Sequence, residues 1–442
     1  RVGVSLIVSR THRSEGPGAR KVLFIENSIG LSGSTMSLCT LLAELDRNRY
    51  APRVVLSLAN QQEYLARAVG PSVPTAVLRW RNSLKSTPWI RSLLGRVASY
   101  PRLPRRIVTG GVAALDVSAV ILPYVRRLYR IARRWNIELI HHNNGLDVRA
   151  VLLARWLGVP LIAYQRGTEW NSPTVRYISR FVDAYVANST ATKGVLLGLG
   201  VPSERIEVIY PPIDVERFHP TVDAARQRRE FGVVPDDLTF GIPGTLLKWK
   251  GHDVFLKAAK LVLEAVARAK AFVIGEVPDG STEYRDELMG LARDLGIGAR
   301  TVFTGFRRDI PELIQLLDVV VHASVKPEPF GRVIAEGMAM GKSVVAAMNG
   351  GPLEIIQEGQ TGFLVPPGDP EKLAHRIIEL LTDRSRAEAL GRQARQDAAA
   401  RFSPGSHARL VEQVYENVLM AHRNGDRPPV RERATWHAGK RS

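Results

Sequence analysis

The stretch EPFGRVIAEGMAMG, Glu328 to Gly341, sets two carboxylates eight positions apart, one before a Phe-Gly turn and one inside an otherwise apolar helix. Immediately upstream, DVVVHAS (Asp318 to Ser324) is the short apolar run expected of a parallel strand buried on both faces. Strand, loop and helix in that order form a half-unit of a doubly wound sheet. Such a sheet takes its ligands outside the carboxyl ends of its strands, against helix N–H groups. Glu328, Phe330 and Gly331 therefore fall at a binding edge. Glu336 lies among Ile334, Ala335, Met338 and Met340, where a lone buried carboxylate costs several kcal/mol unless a hydrogen-bond partner meets it. It suits a vicinal diol such as a ribose, and Glu328 suits the hydroxyls of a second sugar.

Outward from this segment, apolar runs alternate with helical stretches in each half of the chain. In the first half they are KVLFIEN (Lys21 to Asn27), PRVVLSLA (Pro52 to Ala59), ELIHHNN (Glu138 to Asn144), PLIAYQR (Pro160 to Arg166) and DAYVANS (Asp183 to Ser189). In the second they are TFGIPGT (Thr239 to Thr245), KAFVIGE (Lys270 to Glu276), TVFTGF (Thr301 to Phe306), VVVHAS, SVVAAMN (Ser343 to Asn349) and GFLVPP (Gly362 to Pro367). Strands spaced by helices predict parallel sheets. The break falls in YPPIDVERFHP (Tyr210 to Pro220), so the expected fold class is α/β, with two Rossmann-like, doubly wound domains facing across a cleft.

Glu328 to Glu336 resembles the E-x7-E motif of the retaining nucleotide-sugar glycosyltransferases of family 4, which have the GT-B architecture. GKSVVAAMNGGPLEII (Gly341 to Ile356) and GQTGFLVPPGDPEKLA (Gly359 to Ala374) resemble the same family and carry the likeness through most of the second half. The resemblance implies that Glu336 binds the donor ribose and that Glu328, with the backbone of Phe330 and Gly331, binds the transferred sugar. Alternation, segment length and composition divide the chain, and the resemblance implies the interdomain passage and the crossing helix. A tail (1–20) precedes an acceptor-side domain (21–212) with an insertion at 80–135, followed by a linker (213–237) and a nucleotide-sugar-binding domain (238–403). A helix (404–422) then crosses back to the first domain, ahead of a basic, disordered tail (423–442).

GTLLKWKG (Gly244 to Gly251) follows a strand and opens a helix, which brings Lys250 to a loop able to receive a diphosphate. It resembles the family's G-R-L-x-x-x-K-G motif with Thr245 in place of the arginine, and Lys248 is the candidate substitute for the missing charge. SIGLSGSTMSL (Ser28 to Leu38) joins the first strand to its helix, and its Gly30 and Gly33 let the backbone approach a bound group. The resemblance puts them over the donor phosphates. Its spacing is not the G-x-G-x-x-G of a redox dinucleotide site. Arg166 occupies the place of a family histidine near the acceptor; being always protonated, it can hold an anion or offset leaving-group charge but cannot act as a base. His141 and His142 end the preceding strand, with structural and catalytic roles both open.

These parts predict transfer of a sugar from a nucleotide diphosphate sugar, with retention by front-face displacement, Lys250 and helix N-termini stabilising the leaving diphosphate; the resemblance implies a UDP- or GDP-sugar as donor and a lipid-linked or saccharide acceptor. The resemblance sets this in bacterial surface polysaccharide, lipopolysaccharide or glycolipid synthesis. No cofactor is expected, and no metal, because no Asp-x-Asp motif ends a strand and basic groups can replace a cation. Three alternatives from other classes remain, each opposed by a feature of the chain: an epimerase of like architecture should lack the E-x7-E segment, and a phosphorylase would need a pyridoxal phosphate or phosphate site that no lysine context signals. A nucleic-acid-binding protein would use the +18 charge, yet neither zinc-ligand spacing nor a basic stripe interleaved with aromatics is present.

The 442 residues suffice for two domains with separate cores. A single cysteine, Cys39, excludes an intrachain disulfide and fits the reducing cytoplasm, while a surplus of 61 basic over 43 acidic residues favours anionic partners. Neither a secretory leader nor a membrane span is expected, since VGVSLIV is too short and no run of about 18 apolar residues occurs. Between Trp80 and Trp135, however, Arg81, Lys85, Arg91, Arg96, Arg102, Arg105 and Arg106 precede the apolar GGVAALDVSAVILPYV, and Arg126, Arg127, Arg130, Arg133 and Arg134 follow it. That pattern predicts docking of the first domain on an anionic membrane leaflet.

Overall fold

A computed structural model of the chain describes residues 15–28, 33–70, 73–79, 116–167, 173–278 and 282–425. Two parallel sheets organise it. The first holds β1 (Arg20–Glu26), β2 (Tyr50–Leu56), β3 (Thr75–Val77), β4 (Leu139–His142), β5 (Leu161–Gln165), β6 (Ala184–Ala187) and β7 (Ile206–Val208), in the order β3-β2-β1-β4-β5-β6-β7. The second holds β8 (Leu238–Pro243), β9 (Ala269–Ile274), β10 (Thr301–Phe303), β11 (Val319–His322), β12 (Ser343–Ala347) and β13 (Phe363–Val365), in the order β10-β9-β8-β11-β12-β13. Both orders reverse direction once, between β1 and β4 and between β8 and β11. At such a switch point the adjoining loops splay apart and leave a crevice.

Every apolar run predicted as a strand is one. The structure adds β3 and β7, three-residue strands at the two edges of the first sheet, too short to show a period. Central strands such as Val319–His322 and Ser343–Ala347 are buried throughout, as helices on both faces require. Local chemistry places those helices. Asp147 accepts from the Arg149 amide at 2.7 Å to start the helix Val148–Leu157, and Gly158, at φ +69°, ends it. Ser403 caps the final helix, Pro404–Arg423, with a proline at its first turn.

That final helix packs on the first sheet: Ala408, Val411, Val414, Tyr415 and Val418 share a core with Phe24, Leu38, Val54 and Ile162. Within the predicted insertion, residues 80–115 lie outside the described residues. A π-helical turn, Val117–Ile121, leads into the helix Leu122–Arg134, whose Tyr124, Val125, Leu128 and Ala132 join the core on the sheet's other face. The apolar side of this helix is therefore committed to the protein interior, and Arg126, Arg127, Arg130, Arg133 and Arg134 are exposed. Among the described residues no helix is long and apolar enough to cross a membrane.

Candidate active site at the carboxyl ends of the two sheets

At the β8/β11 switch point the loop after each strand delivers one charge. The residues Lys248–Lys250 form a single 3-10 turn closed by Gly251 at φ +72°, where a Cβ would sit 2.0 Å from the Ala323 carbonyl oxygen, so only glycine lets this turn abut the end of β11. The Val325 amide donates to the Trp249 carbonyl at 2.9 Å across the same seam. Lys250 thereby reaches Glu328, with its ammonium also 4.2 Å from the centre of the Trp249 ring. Ser324 Oγ donates to Glu328 Oε2 at 3.1 Å, and His322 Nε2 lies 3.3 Å from that oxygen. Burial pushes the Glu328 carboxyl up, but the charge of Lys250 and the bond from His322 outweigh it and hold the group at about 2. All these contacts gather on Oε2.

The backbone of Glu328 is fixed too. Its amide donates to the Asn349 carbonyl at 3.1 Å and its carbonyl accepts from the Gly351 amide at 2.8 Å. Phe330 turns its ring inward, 5.9 Å from Tyr210 and 5.5 Å from Phe402, and its backbone abuts Gly351, where a Cβ would stand 2.2 Å from the Phe330 carbonyl oxygen. Gly331, at φ +102°, then opens the helix Arg332–Ala339. Glu336, one turn in, is buried, and its required partner is Arg332, whose Nη2 donates to Oε1 at 3.1 Å. Burial raises the Glu336 carboxyl above its ordinary value, against the pull of Arg332 and Arg217.

Across the cleft, the carboxyl ends of β1, β4 and β5 carry a second polar cluster. The Glu26 carboxylate, fully buried, accepts from the Ser28 amide at 2.9 Å and from Asn143 Nδ2. Arg166 donates to the Asn143 carbonyl at 2.8 Å and to its Oδ1 at 2.9 Å while stacking 3.7 Å from the centre of the Tyr164 ring. His141 and His142 do not face this cluster as free bases. His141 shares a 2.7 Å hydrogen bond with the Tyr415 hydroxyl of the final helix, His142 Nδ1 meets the Gly145 carbonyl at 2.8 Å, and burial holds both below the ordinary imidazole value.

Lys250, Glu328, Phe330, Gly331 and Glu336 thus line one edge, and Arg166 belongs to the other. Lys248 is not brought to Lys250. It is exposed and paired with Glu287 at 3.0 Å, because a 3-10 turn sends positions two apart in different directions. Gly30 lies outside the described residues, and Gly33 begins the helix Gly33–Glu44 against Arg332. Besides Glu26, Arg332 and Glu354 escaped the sequence reading. Arg332 donates through Nη1 to Ser37 Oγ at 3.0 Å and to the Pro212 carbonyl at 3.1 Å, bridging the domains. Glu354, in the second domain, accepts from the Thr190 and Ala191 amides at 2.7 and 3.0 Å and so caps the first-domain helix Thr190–Gly198.

This arrangement matches known proteins over both halves. The model of glycosyltransferase family 4 covers residues 31–217 and that of glycosyl transferases group 1 covers residues 223–397. A D-inositol 3-phosphate glycosyltransferase of Catenulispora acidiphila is 30% identical over 286 residues, 59% of this chain and 68% of that one. The chain belongs to glycosyltransferase family 4. The glycosyltransferase is also 27% identical over 317 residues to the N-acetyl-alpha-D-glucosaminyl L-malate synthase of Bacillus anthracis, over 69% of this chain and 81% of that one. Its fold superposes on HepE of Anabaena, crystallised with UDP and glucose, with a TM-score of 0.73 at 25% identity, covering 90% of this chain and all of the other. Its matched stretches span between 51% and 81% of the curated relatives' own lengths. The fold is therefore GT-B and the activity glycosyl transfer.

Proposed function

We propose that this glycosyltransferase transfers a sugar from a nucleoside diphosphate to an acceptor hydroxyl with retention of configuration. The observation that carries the reading is the largely buried Lys250–Glu328 pair at the β8/β11 switch point, with a buried, arginine-held Glu336 one turn into the helix that follows. Glu336 receives the ribose hydroxyls, since Arg332 engages only its Oε1. Glu328, with Oε1 clear of the contacts that gather on Oε2, receives the transferred sugar beside the Phe330 and Gly331 backbone. Lys250 is then at the diphosphate. As the anomeric C–O bond to phosphate breaks, the acceptor oxygen attacks the same face and its proton passes to the departing phosphate oxygen, while Lys250 and the N-terminus of the helix Arg332–Ala339 stabilise the charge that develops. HepE of Anabaena binding UDP and UDP-glucose supports a uridine donor.

Arg166, stacked and aimed into the first-domain edge, suits an anionic acceptor. The names of two relatives, an N-acetyl-alpha-D-glucosaminyl L-malate synthase and a D-inositol 3-phosphate glycosyltransferase, agree with that chemistry. The exposed arginines of Leu122–Arg134 fit an anionic membrane surface and hence a lipid-linked acceptor.

Titration with a panel of nucleotides and nucleotide sugars tests the donor site. Glu336→Gln weakens free nucleoside diphosphate by about tenfold, whereas Glu328→Gln spares it and lowers transfer. Equal nucleotide affinity in wild type and the Glu336 variant rejects the assignment. The anomeric coupling constant of the product, read by NMR, decides retention.

A further inference from the structure

Arg332 sits inside the segment that signals the family, yet two of its three hydrogen bonds leave the second domain. Its Nη2 donates to Glu336 at 3.1 Å, while Nη1 donates to Ser37 Oγ at 3.0 Å on the first-domain helix Gly33–Glu44 and to the Pro212 carbonyl at 3.1 Å in the interdomain passage. Ser37 is fully buried, so this is no surface contact. Gly33 supports the fit independently: a Cβ there would stand 2.9 Å from Arg332 Cδ, and the bare helix start admits the arginine stem. A guanidinium is a rigid planar fork with donors on two edges, so seating one edge on the first domain sets where the other edge holds the carboxylate.

We propose that Arg332 is a positioning residue for the donor. It aims the Glu336 carboxylate at the ribose hydroxyls, and it does so from a seat supplied by Ser37 and the Pro212 carbonyl. Donor recognition in the second domain therefore depends on the first domain being docked. This rests on the assignment of Glu336 to the ribose. Without the fork, Glu336 is a buried carboxylate that burial already biases toward its neutral form, and its oxygens are free to turn away.

The test compares UDP with 2′,3′-dideoxy-UDP, and GDP with its dideoxy analogue, by calorimetry on the full chain, because the ratio of the two affinities isolates the ribose contact from the diphosphate contacts. For whichever base binds, wild type prefers the hydroxylated nucleotide by about tenfold, and Glu336→Gln removes the preference. Arg332→Met lowers that ratio to the Glu336→Gln level while leaving the dideoxy affinity near wild type, Arg332→Lys recovers part of it, and Ser37→Ala reduces it severalfold. If wild type shows no preference, the ribose assignment itself is wrong. If the preference exists and depends on Glu336, but Arg332→Met keeps it or weakens both nucleotides equally, the positioning role is overturned. Should Arg332→Met fail to fold by circular dichroism, wild-type ratios in both Arg332→Lys and Ser37→Ala overturn it.

Discussion

Lys250 and Glu328 come from loops 78 residues apart and meet where little water reaches them: their side chains are 22% and 10% exposed. Removing one partner of such a pair leaves the other charge buried, and we expect Lys250→Met to cost about 3 kcal/mol in a denaturant melt at neutral pH, part of it recovered by adding Glu328→Gln. The pH dependence has a definite sign. The folded carboxyl at about 2 lies below its ordinary 4.5, so its contribution to stability is complete above pH 4.5 and disappears as pH falls toward 2. The difference in melting temperature between wild type and Glu328→Gln should shrink through that window; a constant difference would contradict it. Both residues were legible in sequence because each lies in a short motif whose strand–loop–helix setting fixes its position. The demand that Glu336 have a partner was legible as well. Glu26 and Arg332 were not, since what defines them is distant: Asn143 lies 117 positions from Glu26, and Ser37 lies 295 positions from Arg332.

Among the elements, periodicity identified every strand long enough to have one and passed over β3 and β7, whose three residues each are held by pairing at a sheet edge. The helix Leu122–Arg134 shows a subtler limit. An apolar run beside arginines reads equally as a membrane-facing or a core-facing surface, and here Tyr124, Val125, Leu128 and Ala132 belong to the core. What remains outside is charge alone. Any attachment to a bilayer through this helix is therefore electrostatic, so sedimentation with anionic vesicles should fall as salt rises and drop when Arg126, Arg127, Arg130, Arg133 and Arg134 become glutamine. Salt-resistant binding would point to insertion of some other segment.

At the scale of the molecule, the last helix starts at the interdomain passage, where the His407 imidazole meets the Tyr210 carbonyl at 2.8 Å, and runs along the first domain, where the Glu412 carboxylate accepts from the Asp46 amide at 2.8 Å. A division into two sheets was readable from the alternation of strands and helices. The polar links between the two were not, because no periodicity records them. Glu354 is one such link, and its placement bears on motion. The amides at the start of the helix Thr190–Gly198 have their acceptor on the other body, so relative rotation hands two N–H groups and a carboxylate to water in the same moment. A rotation of the two bodies would break both bonds together, so we expect it to meet a detent and to leave the resting angle in a single click rather than by gradual drift. If release of the spent nucleotide waits on that click, Glu354→Ala will speed release in a stopped-flow trace while the wild-type rate rises little on dilution of added viscogen, the mark of an internal catch rather than of solvent drag.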